Sequence, residues 1–437
     1  MKSTSFFTLV SFGVALFASH VQAQLMQPTA ARPASLHYTY YAQDTAPSPS
    51  DVPPPAVEQS ASDDVMGDVV EAAGAECEEE CPVRLFPETC HGIQIGGWFS
   101  GGVYQNGQGV SSGTGNAPVL FPQVSDGATL DQAWIYAEKA LPDDCCCYDW
   151  GFRIDYVFGT DGPDTQAFGD IGWDNDWDSS RDYGSAIPQL YVEYGNSDFS
   201  IKAGHFFTLI GYEVVAAPDN FFYSHAYTML YGEPFTHTGA LATMAVNDQI
   251  SVTGGWTAGW DSGFNNSNEA STFLGAASWT SCDESTTVTY SVIAGDFGNG
   301  DVDNQGDIYM HSVVATYAIN ECMEYVFQSD YGNNRVNGTH DEWFGVNQYL
   351  FYTLSDCYKA GLRFEWFSDD DGVRVVADNY GSGDFYAVTA GVNYTPNCNV
   401  IVRPEVRYDW FEGNGRPFGD GNFRDMFYYG MDVILLY

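Results

Sequence analysis

Apolar and polar side chains alternate along many short segments of this chain. In Val400–Trp410 (VIVRPEVRYDW), apolar and aromatic residues alternate with four charged ones: Arg403, Glu405, Arg407 and Asp409. The same period of two occurs in the segments FRIDYVF, LYVEY, KAGLRFEWF, YAVTAGVNY and MFYYGMDVILLY. Such alternation predicts β-strands whose two faces meet different surroundings. By itself it is equally typical of a soluble sheet with one buried face.

The connections between these segments alternate in length. The short ones consist of turn-forming residues suited to tight hairpins; they are Pro142–Cys147, Asn196–Asp198, Asn247–Gln249, Cys282–Ser285, Asn320–Cys322, Ser355–Cys357 and Pro396–Asn399. The long ones are rich in Gly, Asn and Asp; they are Asn106–Leu130, Thr160–Ile187, Tyr212–His237, Asp261–Ala270, Phe297–Gln305, Gly332–His340, Asp369–Ser382 and Glu412–Arg424.

Seven short turns and eight long loops join sixteen strands, the first at Gly92–Gln105 and the last at Asp425–Tyr437. An even strand number, with short turns at one end and long loops at the other, is typical of outer-membrane barrels. The pattern therefore predicts an all-β fold, a transmembrane antiparallel β-barrel of about 16 strands with periplasmic turns and long external loops.

A barrel in lipid places apolar side chains outward and polar side chains toward its lumen. The charged positions of the alternating segments are therefore predicted to line a water-filled pore: Arg153, Asp155, Glu193, Lys202, Arg363, Glu365, Arg403, Glu405, Arg407 and Asp409. Two positions fit this pattern less well. Gln348 falls on the apolar face of its segment, and Pro404 lacks a ladder donor, which predicts a local bulge or a missing hydrogen bond.

The chain carries 58 acidic and 15 basic residues, which gives a net charge of −43. Because phosphate contacts require clustered Lys and Arg, this balance excludes nucleic acid as an electrostatically bound partner. It favours cations in the nearby solution, although adaptation to a salty medium explains the charge equally well. Aromatic residues make up 16% of the chain, which favours strands and interfacial rings over helices.

The N-terminal part differs in composition from the rest. Met1–Ala23 has a short basic start and an apolar stretch that ends in small residues, which predicts a secretory signal peptide. Residues 24–89 are acidic and rich in Pro, which predicts a disordered periplasmic segment. The barrel is expected to span residues 90–437, and no later apolar run reaches the length of about 18 residues that a membrane helix needs.

Ten cysteines in an exported chain favour disulfides. Seven lie at the short turns, namely Cys145, Cys146, Cys147, Cys282, Cys322, Cys357 and Cys398. Three precede the barrel, namely Cys77, Cys81 and Cys90. Bridges between turns, or between the N-terminal segment and turns, are expected, and the spacing does not determine their connectivity. A zinc site at the first two of these cysteines is disfavoured because no second pair follows.

The sequence contains no recognised catalytic or cofactor motif. The acidic stretches WDNDWD, GDVDNQGD and SDDDG could attract Ca²⁺, but none has the Glu that ends a calcium-binding loop. HExxH, GxSxG, phosphate-binding and dinucleotide-binding motifs do not occur. We therefore expect a protein that is not an enzyme and that needs no cofactor or metal.

Ala203–Ala242 (AGHFFTLIGYEVVAAPDNFFYSHAYTMLYGEPFTHTGALA) resembles a hallmark segment of the OmpL-like β-barrel porins of bacterial outer membranes. The resemblance covers about Gly92–Tyr437 and implies a pore. The terminal Tyr437 is similar to the C-terminal aromatic signal that barrel-insertion machinery binds. In general porins the third long loop folds into the lumen. By that analogy Tyr212–His237 would form a constriction lined by Glu213, Asp219, Tyr223, His225, Tyr227, Glu233 and His237.

Two arrangements of the inward charges remain open. A transverse field that favours small polar solutes would arise if acidic loop residues faced the inward bases Arg153, Lys202, Arg363, Arg403 and Arg407. The alternative is local pairing along the wall, for example between Arg403 and Glu405.

We expect an outer-membrane porin for the passive diffusion of small hydrophilic solutes or ions. Cation or anion preference is left open, since the net charge favours cations and an arginine wall favours anions. Outer-membrane lipid is the expected surrounding, and assembly as a homotrimer is left open. The alternative function is a non-conducting structural or surface-binding barrel that uses its acidic loops.

Overall fold

The computed structural model describes residues 84–87, 89, 91–125, 127–142, 147–167, 173–174, 182–264, 270–296, 306–336, 339–375 and 382–437. The predicted signal peptide and almost all of the predicted disordered segment lie outside the described residues, as do Cys77, Cys81, Cys90, Cys145 and Cys146. Most of the acidic stretches WDNDWD and GDVDNQGD also lie outside them.

Almost all of the regular secondary structure in the described chain is β-strand. The strands are β1 Gln94–Asn106, β2 Ala128–Lys139, β3 Asp149–Gly159, β4 Gly184–Gly195, β5 Phe199–Phe207, β6 Thr236–Asn247, β7 Ile250–Thr257, β8 Ser271–Thr280, β9 Thr286–Asp296, β10 Asp307–Asn320, β11 Met323–Val336, β12 Thr339–Ser355, β13 Tyr358–Asp369, β14 Gly383–Asn397, β15 Val400–Gly413 and β16 Asp425–Leu436. The helical pieces are a five-residue α-helix, α1 Asp161–Thr165, a 3₁₀ turn at Ala217–Asp219 and a π-helical turn at Thr228–Gly232. Among the described residues, no helix is both long and apolar enough to span a bilayer.

Each strand pairs antiparallel with its neighbours in sequence, and β1 pairs with β16, so the sheet closes on itself. The seam runs from Trp98 opposite Leu436 to Asn106 opposite Tyr428. The predicted all-β fold, a closed antiparallel barrel of sixteen strands, is therefore confirmed. Closure leaves no unpaired sheet edge, as a strand structure surrounded by lipid requires.

One of the eight predicted long loops is wrong. β11 continues to Val336 and β12 begins at Thr339, so only residues 337 and 338 join them. The polar stretch that suggested a loop forms ladder pairs instead, such as Asn333 with Glu342 and Asn334 with Asp341. Strand propensity depends strongly on context, and cross-strand pairing outweighed the turn-like composition here.

Side chains alternate between the two faces as predicted. Large apolar side chains point outward and are exposed, including Val192, Leu362, Tyr408, Tyr429 and Leu435. Their charged neighbours in sequence point to the interior, where they are buried or half-buried. Gln348, the polar residue on the outer face, accepts a hydrogen bond from the Tyr325 hydroxyl at 2.9 Å, so its amide oxygen has a partner there.

Pro404 interrupts the ladder between β14 and β15 without changing its register. Gly391 lies opposite Glu405, Tyr394 lies opposite Val402, and no pair is formed between them. The prediction of a missing hydrogen bond is confirmed, and a bulge does not form at this position. The other edge of β15 is unbroken, with Pro404 opposite Met431 of β16.

The cysteines at the turns differ in state. Cys357 and Cys398 are disulfide-bonded. Cys282 and Cys322, at two other short turns, are exposed free thiols. The sequence-based expectation of disulfides therefore holds for some of the turn cysteines and not for others.

Candidate functional site

The connection between β5 and β6 folds into the barrel. Residues 208–235, which we call the inward loop, contain the 3₁₀ and π-helical turns and otherwise irregular backbone. Irregular backbone leaves N–H and C=O groups that need partners from elsewhere. Side chains from β2, β12, β13 and β15 hydrogen-bond to the loop along its length. Much of this bonding comes from the inward charges of β13 and β15.

Arg403 on β15 holds the first half of the inward loop. Its Nη1 donates at 2.8, 2.7 and 3.1 Å to the carbonyl oxygens of Ala217, Asn220 and Phe222. Its Nε and Nη2 donate to the carboxylate of Asp432 on β16, at 2.9 and 2.6 Å. One guanidinium therefore fixes three loop carbonyl groups while its charge is balanced by the neighbouring strand.

Two further arginines hold the middle of the inward loop. Arg363 Nη1 donates to the Ser224 carbonyl oxygen at 2.6 Å, and Arg407 Nη1 donates to the His225 carbonyl oxygen at 2.7 Å. Both guanidinium groups also pair with Glu365, at 2.7 and 3.5 Å. A buried arginine needs such compensation, because an isolated charge in the protein interior is strongly destabilising.

Acidic side chains of the same strands accept hydrogen bonds from loop N–H groups. Glu405 accepts from the backbone N–H groups of Tyr223 and Ser224, at 2.8 and 3.2 Å, and from the Tyr104 hydroxyl at 2.7 Å. Local pairing along the wall, weighed from sequence, does form between Arg363 and Glu365 and between Arg407 and Asp409, each at 2.7 Å, but the example of Glu405 with Arg403 does not form. The carboxylate binds the inward loop instead, because irregular backbone offers donors that a neighbouring strand does not.

We call the six inward charges on β13 and β15 the charged wall: Arg363, Glu365, Arg403, Glu405, Arg407 and Asp409. They face the interior, and each is no more than 5% exposed because the inward loop covers them. Arg153 and Asp155 on β3 are buried as well and pair at 2.7 Å. Of the ten residues predicted to line the pore, only Glu193 and Lys202 are half-buried rather than buried.

The seven residues predicted for the constriction are close together, but they differ in exposure. Six are buried: Glu213, Tyr223, His225, Tyr227, Glu233 and His237. His237 lies on β6 and not in the loop. It forms hydrogen bonds with the Thr208 hydroxyl and the Gly259 carbonyl group. Asp219 is the exposed member of the set. It is the last residue of the 3₁₀ turn whose first carbonyl group, that of Ala217, accepts a hydrogen bond from Arg403.

Two of the three acidic residues in the inward loop, Glu213 and Asp219, have opposite electrostatic environments. Burial alone would raise the pKa of Glu213, but Arg363, with contributions from His225 and the Ala226 N–H, lowers it to about 2. The ion pair with Arg363 is 2.8 Å long. Asp219 has no comparable partner, and enclosure by the barrel raises its pKa to about 6 although its side chain meets water. Glu213 is therefore held within the structure by its ion pair, whereas Asp219 is exposed to water.

The opposite side of the barrel has a different chemistry. The inward faces of β6, β7, β8 and β9 carry hydroxyl groups, which we call the hydroxyl wall: Thr243, Ser251, Thr253, Ser278, Thr280, Thr287, Thr289 and Ser291. The four strand sequences contain no Lys, Arg or Glu, and their one Asp ends β9. Hydroxyl groups pair across strands, for example Thr243 with Thr253 at 3.0 Å and Ser278 with Thr289 at 2.9 Å.

Comparison with known proteins assigns the chain to a family. The family model described as putative beta-barrel porin-2, OmpL-like, matches residues 92–437. The chain belongs to this porin family. The match covers the whole barrel, including the inward loop and both walls, so the resemblance inferred from Ala203–Ala242 is confirmed. No curated protein is similar enough in sequence to match the chain.

Solved porin structures share the fold of this family member at low sequence identity. The anion-selective porin from Comamonas acidovorans is 7% identical with a TM-score of 0.54, over 79% of this chain and 99% of that one. OprB from Pseudomonas putida, at high pH, is 11% identical with a TM-score of 0.52, over 79% and 94%. OmpT from Vibrio cholerae is 11% identical with a TM-score of 0.51, over 79% and 97%. At these identities the likeness shows the fold alone.

Several residues that build the site in this porin-family barrel were not singled out from sequence. Tyr104 and Asp432 bind the charged wall, and strand alternation places both on inward faces, so their location could have been predicted. Asn220 folds the 3₁₀ turn through hydrogen bonds between its amide group and Val214 and Ala216. Sequence pattern gives no signal for these contacts, because their partners are backbone atoms of an irregular loop.

Proposed function

We propose that this chain is a porin of a bacterial outer membrane, through which small hydrophilic solutes or ions diffuse passively. The inward loop, held inside the barrel by the charged wall, is the observation that supports a constricted channel most directly. A loop fixed by five arginine-to-carbonyl hydrogen bonds from the charged wall sets an aperture rather than moving freely with the solvent.

The water pathway in this proposal follows the hydroxyl wall. The charged wall is covered, its arginines are ion-paired, and Glu405 is held by loop N–H groups, so the wall exerts little net field on a solute. The half-buried hydroxyl groups of Thr243 and Thr289 and the exposed carboxylate of Asp219 remain for solutes to meet. Hydroxyl groups replace part of a solute's hydration without selecting a charge, and one accessible carboxylate favours cations. We therefore propose weak cation preference.

The remaining parts of the proposal concern the surroundings of the barrel. Exposed aromatic and aliphatic side chains cover its outer face, which suits contact with outer-membrane lipid. We also propose that the barrel assembles as a homotrimer and that barrel-insertion machinery recognises Tyr437. Both proposals rest on the porin resemblance. A protein of this kind is not an enzyme.

The experiment that tests conduction is single-channel recording of the refolded mature chain in a planar bilayer under a salt gradient. Discrete current steps support the porin, and the sign of the reversal potential tests cation preference. Heat-dependent mobility on a gel establishes beforehand that the sample is folded. Silence from protein that is folded and inserted overturns the proposal.

One observation favours a second candidate, a barrel that does not conduct. Every one of the sixteen strands contributes at least one buried inward side chain, such as Gln132, Leu274, Met310, Asn347 and Ala387. Buried side chains therefore fill part of the interior on every side of the barrel, as expected for a structural or surface-binding barrel. Bilayer recording separates the two candidates, since only a porin gives current.

A further inference from the structure

A pair of carboxyl groups lies apart from the charged wall, at the end of the inward loop. Glu233 closes the loop before β6, and Asp330 is an inward residue of β11; they are 4% and 0% exposed. The amide Nε2 of Gln328 donates to Asp330 Oδ2 at 3.0 Å and also to Glu233 Oε1. The two acids are therefore neighbours across one amide group.

Two oxygen atoms at this pair lack a regular hydrogen bond, one in the pair itself and one on a neighbouring serine. Asp330 Oδ1 and Ser312 Oγ are buried, and neither forms a hydrogen bond of regular geometry, although Ser312 and Glu233 lie close enough to the Asp330 carboxyl group to interact with it. Ser312 lies directly opposite Asp330 in the ladder between β10 and β11, and both side chains face the interior. Buried polar groups are almost always satisfied, so a carboxylate oxygen and a facing hydroxyl group that both lack a regular hydrogen bond leave room for a further partner.

The backbone is shaped to bring Glu233 to this position. Gly211 has φ +92°, and a Cβ atom there would lie 1.9 Å from Glu233 Oε2. A side chain at this position would displace the carboxylate. The chain therefore accommodates a second buried acid beside Asp330 at the cost of a glycine in a conformation that other residues rarely adopt.

The pair has no positive counterpart among the described residues. The ion pairs of Arg363 and Arg407 go to other acids, and none of the salt bridges in the described part of the chain includes Glu233 or Asp330. Two buried carboxylates side by side cannot both remain charged without compensation. A bound cation or a shared proton must supply it.

We propose that Glu233, Asp330 and Ser312, together with Gln328, form a binding site for a hard divalent cation such as Ca²⁺. The site supplies carboxylate and hydroxyl oxygen atoms, which are the ligands that Ca²⁺ takes in flexible geometry. Two carboxylates balance its charge. A 180° flip of the Gln328 amide group would place its oxygen atom, instead of its nitrogen atom, between the two acids. That oxygen atom would be a fourth ligand for the ion. The bound ion joins the end of the inward loop to β10 and β11.

The test compares unfolding temperatures of the mature, refolded chain in EDTA and at increasing Ca²⁺, at moderate salt that screens the acidic surface. The variants are Asp330→Asn, which removes one charge at constant shape, and Ser312→Ala, which removes a neutral ligand. The control is Asp261→Asn. Asp261 is a buried acid in another loop that accepts hydrogen bonds from two backbone N–H groups and belongs to no acid pair.

We expect Ca²⁺ to raise the unfolding temperature of the wild type and of Asp261→Asn with the same half-saturating concentration. Ser312→Ala should need about tenfold more Ca²⁺, and Asp330→Asn should not respond. In EDTA, Asp330→Asn should unfold at a higher temperature than the wild type, because the repulsion within the pair is gone.

Equal Ca²⁺ responses in all four proteins, which indicate surface binding, overturn the site. No response in the wild type overturns it as well, since one shared proton then suffices. If Asp330→Asn does not fold, Ser312→Ala decides between these outcomes.

Discussion

The charged wall and the hydroxyl wall occupy opposite sides of one barrel, and they follow the same strand alternation. On the charged wall, β13 and β15 place full charges on the inner face, and these are buried against the inward loop. On the hydroxyl wall, β6 to β9 place neutral groups there, and several of them remain half-buried. Alternation determines which side chains face inward, whereas the loop determines which of those meet water.

The two walls consequently contribute different things. Charges buried in pairs hold a specific loop conformation, and removing one member leaves the other without compensation. Hydroxyl pairs are weak, local and replaceable. The charged wall is therefore expected to determine stability and the position of the loop, while the hydroxyl wall and Asp219 determine what passes.

The largest effect is expected for Arg403→Met. This change leaves the buried Asp432 carboxylate without its ion-pair partner, with only the Ser100 hydroxyl still donating to it, and removes the arginine from the carbonyl groups of Ala217, Asn220 and Phe222. We expect a loss of about 3–5 kcal/mol in the free energy of unfolding, together with larger and noisier conductance as the loop loosens. Denaturant unfolding in detergent and single-channel recording measure the two effects.

Lys202→Met is the matched control, because Lys202 is an inward base that packs on the Tyr191 ring and belongs to no ion pair of the described residues. Lys202→Met should lower the free energy of unfolding far less than Arg403→Met does. Adding Asp432→Asn to Arg403→Met should restore part of the lost stability. Equal losses in the Arg403 and Lys202 variants would show that pairing with the loop is not what the charged wall contributes.

A second large effect is expected from Glu213→Gln, and it depends on pH. The folded pKa of about 2 lies below the ordinary value of 4.5, so the stabilisation is fully present above about pH 4.5 and is lost as the pH falls toward 2. Near neutral pH the variant should be less stable by about 3 kcal/mol. The difference from the wild type should shrink in acid, as thermal unfolding at several pH values will measure. A difference that is constant from pH 6 to pH 2 contradicts the ion pair with Arg363.

Asp219→Asn should leave stability nearly unchanged, within about 0.5 kcal/mol, and should reduce cation preference. A unit charge about 4 Å from an ion in water contributes about 1 kcal/mol, or roughly fivefold in ion population. The reversal potential under a salt gradient should therefore move toward zero. Asp198→Asn, an exposed acid at a short turn, is the control and should leave the potential unchanged. Identical shifts in both variants would assign selectivity to the overall charge of −43 instead of to the loop.

Much of the fold could be predicted from the sequence because a barrel is specified by local rules. Period-two alternation and turn composition identified all sixteen strands and the inward side of the ten charged positions. The error at Gly332–His340 arose because asparagine and glycine are turn residues only where no partner strand pairs with them. Local composition does not contain that information.

The candidate site was only partly predictable, for a physical reason. Arg403 and Glu405 were placed correctly on the inner face, but their partners are Asp432 and the backbone of residues 217–224, far away in sequence. A charge facing inward looks the same in sequence whether it meets water or a folded loop. Only the tertiary position of the loop distinguishes a pore-lining arginine from one that holds backbone.

The smallest effect on stability is expected on the hydroxyl wall, from the double variant Thr243→Val, Thr253→Val. Both partners of the 3.0 Å hydrogen bond are replaced by groups of similar shape, so no donor or acceptor is left alone. The free energy of unfolding should change by less than about 1 kcal/mol. Uptake of a neutral sugar into proteoliposomes should slow, because two hydroxyl groups that replace hydration water are gone, while the reversal potential stays constant. A loss of stability as large as that of Arg403→Met would mean that both walls hold the barrel together. Unchanged sugar uptake would mean that solutes do not pass along the hydroxyl wall. The two walls would then differ only in their contributions to stability.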